Sequence, residues 1–113
     1  MLYSIKGIAS HIGGGLILNT LLSLEDLSPL SKIQYVHGVR IYTIRRAKKI
    51  GSLPTVIEGS VKVKDCDNLL TLRGLPDKVG KNLVLDSLDN LTSLEGCPAW
   101  VGEDFICTWC ANI

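Results

Sequence analysis

Apolar residues return to the same places every 22 residues through the second half of the chain. Val61, Leu83 and Phe105 share one place, and Val63, Leu85 and Cys107 another. Cys66, Leu88 and Cys110 share a third, and Leu69, Leu91 and Ile113 a fourth. The later part of the unit repeats as well: Leu72 with Leu94, Gly74 with Gly96, Pro76 with Pro98, Val79 with Val101. A fixed period of this length marks a solenoid, in which one unit cannot bury its apolar face until the next stacks on it. Within each unit the triplets Val39-Arg40-Ile41, Val61-Lys62-Val63, Leu83-Val84-Leu85 and Phe105-Ile106-Cys107 alternate with the period of a strand. The first and third residues of each triplet are placed inward. The middle residue and the one after the triplet then face out, giving Arg40 and Tyr42, Lys62 and Lys64, Val84 and Asp86, Ile106 and Thr108. Leu69, Leu72, Leu91 and Leu94 are expected to close the far side of the core.

The frame loosens toward the N-terminus. Val39, Ile41, Ile44, Ala47, Ile50, Leu53 and Ile57 keep the apolar spacing, but Arg46 stands where Asn68 and Asn90 stand, and Ser52 where Gly74 stands. Leu16-Ile17-Leu18 reads as an earlier strand, and Leu2 to Gly13 matches Leu91 to Gly102. The pattern therefore predicts a single solenoid domain over 1–113, with irregular repeats in 1–52 and regular ones in 53–113. It predicts four strand passes plus a fifth near the C-terminus. Gly13-Gly14-Gly15 falls at the turn equivalent to Gly102-Glu103-Asp104. Gly74 to Pro76 and Gly96 to Pro98 suit turns, because glycine accepts positive φ and proline fixes its own. Ser28 to Tyr35 is the best helical segment, with Ser28 as N-cap and Pro29 at N1. Asn68, Asn90 and Asn112 recur once per coil. They fit either a buried amide bonded to loop backbone or a turn residue with positive φ.

The unit from Leu83 to Phe105, with its Asn90-Leu91-Thr92-Ser93-Leu94-Glu95-Gly96-Cys97-Pro98 core, resembles a leucine-rich repeat. Specifically, it resembles the short repeats common in small proteins of bacteriophages and some bacteria. The resemblance spans the chain, strongly over 53–113 and loosely over 1–52. It implies a mainly β fold with a parallel sheet of about five short strands and few or no α-helices. It also implies a non-catalytic role in binding other proteins. Small phage proteins of this size often block a host enzyme or defence system, anti-CRISPR inhibitors among them. By analogy that is the role the resemblance suggests.

Composition narrows the picture further. Of 113 residues 46% are hydrophobic but only 5% aromatic, which suits aliphatic ladders. Apolar runs are far too short for a membrane span, and the start lacks the pattern of a secretory leader. A cytoplasmic location is expected. Net charge is only +1, yet it is unevenly spread. Residues 1–59 hold seven basic against three acidic residues, a balance of +4, and residues 60–113 hold five against eight, a balance of −3. Such asymmetry bears on association rather than on fold.

Candidate chemistry is sparse. Cys107-Thr108-Trp109-Cys110 taken alone suggests a zinc or redox pair. In the repeat frame, however, Cys66, Cys97, Cys107 and Cys110 all occupy ladder places held elsewhere by aliphatics. They are therefore expected to be reduced, buried and metal-free. His11 and His37 fall at connecting positions, and the repeat places no serine, cysteine or carboxylate beside them. No catalytic residue, metal or cofactor is expected. The basic stretch is the one local departure from the repeat. Arg40, Tyr42, Lys62 and Lys64 on the sheet face, with Arg45, Arg46, Lys48 and Lys49 on the adjoining edge, form the candidate docking patch for a host protein with an acidic surface. The alternative is a nucleic-acid-binding accessory protein using residues 40–49, which Asp65, Asp67, Asp86 and Asp89 oppose. Finally, Phe105, Ile106, Trp109 and Ile113 lie on the last coil with no half-unit after them. The expectation is a homodimer formed through this coil.

Overall fold

The computed structural model describes residues 10–110. They form a parallel β-solenoid of about four turns measuring 35 × 31 × 18 Å. Five strands make its main sheet: β1 (His11–Asn19), β2 (Tyr35–Tyr42), β4 (Val61–Lys64), β6 (Leu83–Asp86) and β8 (Phe105–Thr108), stacked in chain order. A second sheet holds the two-residue strands β3 (Val56–Ile57), β5 (Lys78–Val79) and β7 (Trp100–Val101). The register follows the 22-residue frame: Val39, Val61, Leu83 and Phe105 pair in series, as do Ile41, Val63, Leu85 and Cys107. The inward residues of β2, β4 and β6 are fully buried. Like residues thus stack on like, and each coil supplies the apolar floor of the next.

The corners explain why the frame is so strict. Each main-sheet strand is followed directly by a non-glycine residue of positive φ: Thr20, Thr43, Asp65, Ser87 and Trp109. The amide of each of the first four still donates to the neighbouring coil, at 2.9 Å from Thr43 to the Lys64 carbonyl and 3.0 Å from Asp65 to the Asp86 carbonyl. The left-handed turn costs roughly 1–2 kcal/mol per residue but keeps the backbone ladder intact into the bend. The recurring asparagines fit neither of the two roles expected of them. Asn68 and Asn90 are neither buried nor of positive φ; they lie exposed, and Asn90 Nδ2 donates to Asn68 Oδ1 at 3.4 Å. Asn112 lies outside the described residues.

Other expectations need correcting in the N-terminal half. Gly13-Gly14-Gly15 is not a turn. It lies inside β1, whose pairing with β2 slips between Ile12 and Gly15, the irregularity of a bulge. β1 and β2 run unbroken for nine and eight residues, whereas later coils split into a short strand in each sheet. The segment after Leu27 forms a single 3-10 turn, Ser28–Lys32, capped by Leu27 and without a side-chain cap bond. Ser28 is therefore not the N-cap. Positive φ falls at Gly51, Gly74 and Gly96, so the glycine of the second coil sits one residue before Ser52. At the far side Leu69, Leu72 and Leu91 are buried, but Leu94 is exposed, because no further coil among the described residues packs on it.

Candidate functional site

The outward side chains of the main sheet form two rows that cross all five strands. One runs Ile17, Arg40, Lys62, Val84, Ile106, and the other Asn19, Tyr42, Lys64, Asp86, Thr108. Strand pairing holds neighbours in a row roughly 5 Å apart at the backbone. Arg40 is exposed, while Tyr42, Lys62 and Lys64 are half-buried rather than fully exposed as expected. Lys64 Nζ stands 5.5 Å from the centre of the Tyr42 ring. Arg40, Lys62 and Lys64 make no ion pair with another described residue. In the last coils the same rows turn acidic and apolar. Asp86 accepts from Thr108 Oγ1 at 3.0 Å and Ser87 Oγ at 3.1 Å.

Arg45, Arg46, Lys48 and Lys49 are all exposed, but they follow the bend at Thr43 and leave the sheet face. Arg46 is ion-paired with Glu25 of the preceding coil. The eight basic-patch residues therefore divide into a face (Arg40, Tyr42, Lys62, Lys64) and an edge.

A cleft of about 420 Å³ opens on the face just before the Arg40 row. Gly15, Gly38 and Gly59 line it, with His37, Arg40, Ser60 and Lys81 around them. Sequence reasoning missed it because its residues come from four coils and share no motif. The only hint was glycine at both outward places, Gly15 and Gly38, that precede the strand triplets. His37 also has closer neighbours than the repeat suggested: Glu58 Oε2 lies 4.0 Å from its Nδ1, and Ser60 lines the same cleft. These are the residue types of a hydrolytic triad, but not its relay. Ser60 Oγ accepts the Asn82 amide at 3.2 Å, and the His37–Glu58 approach is too long for a hydrogen bond. His11 Nδ1 lies 3.1 Å from Ser10 Oγ at an exposed position.

The cysteines divide by coil. Cys66 is buried, and its thiol points to the carbonyl oxygens of Lys64 at 3.4 Å and Ile41 at 3.9 Å. Burial, reinforced by the Asp65 and Asp67 charges, pushes it up to about 11. Cys97 and Cys110 are only half-buried, and Cys107 is exposed, contrary to the expectation that all four are buried. Cys107 does hold the ladder place opposite Leu85, but no coil covers it among the described residues. Partial desolvation, the hydrogen bond with Cys110 and the nearby Cys110 and Cys97 thiols push Cys107 up to about 11. Burial also raises Cys97. Thiols shifted this way are almost wholly protonated at neutral pH, and the protonated thiol is a poor nucleophile. Among the described residues no three His, Cys, Asp or Glu side chains gather as a metal site.

The last coil is apolar and open: Phe105, Ile106 and Trp109 are 44%, 42% and 80% exposed, and Ile113 lies outside the described residues. No helix among the described residues is long and apolar enough to cross a membrane. No family model, curated protein or solved structure matches the chain.

Proposed function

We propose that the chain is a non-enzymatic protein-binding module whose main-sheet face docks an acidic surface of another protein. The observation that carries this reading is the pairing of Arg40 with Lys62 on adjacent strands with no ion-pair partner among the described residues. Like charges placed directly opposite one another destabilise a sheet. A face that holds them in register is complementary to carboxylates from outside, where such matching sets on-rate and specificity. Tyr42 adds the kind of aromatic group that anchors interfaces. The resemblance in the repeat motif adds a mode of action, occlusion of a host enzyme or defence component.

The test is affinity capture from host lysate with the wild-type chain, the double variant Arg40→Glu/Lys62→Glu, and Lys78→Glu on the other sheet as a control. The reading requires a protein retained by wild type and control and lost with the double variant. Equal retention by all three contradicts it. Retention of nucleic acid that falls steeply with salt supports the alternative, against which Asp65 and Asp86 stand on the neighbouring coils.

A second reading concerns self-association, favoured by the exposed Phe105 and Ile106 on β8, the edge strand among the described residues, and by Trp109 just after it. Edge strands and contiguous apolar side chains are templates for pairing. The proposed homodimer predicts a concentration-dependent dimer mass in light scattering that Trp109→Asp reduces to monomer. A monomer mass at all concentrations contradicts it.

A further inference from the structure

We propose that the glycine-lined cleft on the main-sheet face binds a carboxylate, presented as an acidic side chain of the docked protein. The inference rests on the reading of this face as a docking surface and supplies its anchoring pocket. Gly15 pairs with Gly38 across β1 and β2, in the outward place immediately before Ile17 and Arg40. Two adjacent strands thus lack side chains where the rest of the face carries them, which opens the cleft of about 420 Å³. That space admits the side chain of a glutamate or aspartate together with part of its backbone.

The three glycines are not equivalent. A Cβ at Gly59 would lie 2.7 Å from the His37 carbonyl oxygen, and one at Gly38 3.2 Å from that of Ser60. Close stacking of the coils accounts for both. A Cβ at Gly15 would meet only the Gly38 carbonyl oxygen at an ordinary 3.6 Å, and its φ is not in the left-handed region. Packing does not require glycine there. What its absent side chain provides is the opening.

The polar side chains around the opening can donate. Arg40 offers a planar fork that matches a carboxylate, and Lys81 a point charge from the coil beyond. Ser60 Oγ accepts the Asn82 amide, which leaves its hydroxyl proton to donate. His37 adds a ring nitrogen to the lining, with Glu58 Oε2 4.0 Å from its Nδ1. Glu58 is largely exposed and does not line the cleft. Three backbone amides beside the cleft are already committed: Val39 to the Ser60 carbonyl, Gly59 to that of His37, Lys81 to that of Gly59. Phosphate sites commonly rely on a nest of free backbone N–H groups. A cleft whose donors are side chains fits a carboxylate better.

The experiment is an amide-resolved NMR titration of the isolated chain with capped glutamate, capped glutamine and inorganic phosphate as probes. Saturable shifts at Gly15, Gly38 and Ser60 are expected with capped glutamate and none with capped glutamine. Affinity is expected to fall at least about tenfold, which is about 1.4 kcal/mol, in Gly15→Val, which fills the cleft and keeps every charge. Arg40→Gln and Lys81→Gln are expected to weaken it comparably and decide the matter if Gly15→Val does not fold. Saturation by phosphate without saturation by glutamate overturns the carboxylate assignment. Unsaturable shifts, or shifts unchanged in the variants, overturn the site. Because no partner is present, a failed titration removes the pocket alone, and the docking face stands or falls by its own charge-reversal assay.

Discussion

Lys64 holds its ammonium 5.5 Å from the centre of the Tyr42 ring, across the boundary between β2 and β4. The contact fastens the irregular N-terminal coils to the regular ones on the face where binding is proposed. Cation–π pairs at partly exposed sites contribute on the order of 0.5–1 kcal/mol. Tyr42→Phe should leave unfolding free energy nearly unchanged, whereas Tyr42→Leu should lower it by about that amount. Urea denaturation of the two variants and Lys64→Met, combined as a double-mutant cycle, checks the coupling.

Coil stacking makes a sharper demand at Gly80. A Cβ there would lie 2.1 Å from the Glu58 carbonyl oxygen, while one at Gly13 would meet nothing within 4 Å. Gly80→Ala should destabilise the chain by at least about 1–3 kcal/mol, the usual cost of forced overpacking. Gly13→Ala should be neutral within about 0.5 kcal/mol. Equal thermal midpoints for the two variants would refute this account of the corner.

The Cys66 thiol, raised from 9.0 to about 11 by burial, links stability to alkaline pH. The unfolded thiol ionises first, so between these values the native state binds more protons and stability falls as pH rises. The contribution is fully present below the unfolded pKa and is lost through the folded one. A shift of this size corresponds to at most about 3 kcal/mol. Cys66→Val should flatten the decline in unfolding free energy between about pH 8 and about pH 11. The same burial predicts that a thiol reagent modifies Cys107 well before Cys66 under native conditions.

The register of the main sheet was legible in the sequence because stacking leaves no freedom: Val61, Leu83 and Phe105 recur at one spacing and pair at that spacing. Departures lie where local chemistry outweighs the period. Gly13 to Gly15 resembles a turn in composition, yet extended glycine pairs with β2. The positive-φ corner falls on Thr43, Asp65 and Ser87, residues without a common turn signature, whereas the recurring Asn68 and Asn90 come after the bend. The second sheet was foreshadowed only by Ile57, Val79 and Val101 at one place per coil. The ladder argument correctly located Cys107 but not its exposure, which depends on what stacks above it. The outward rows followed from alternation alone, whereas the cleft needed the coils assembled.

The central claim is that the Arg40, Tyr42, Lys62 and Lys64 face binds a protein through its acidic surface. Its most direct test is the dissociation constant of the captured partner, measured against wild type, Arg40→Glu/Lys62→Glu and Lys78→Glu at low and high salt. The account predicts affinity for wild type and Lys78→Glu that weakens with salt, and a loss of at least about 2–5 kcal/mol for the double variant, with unfolding midpoints unchanged. Equal affinity for all three proteins would contradict it.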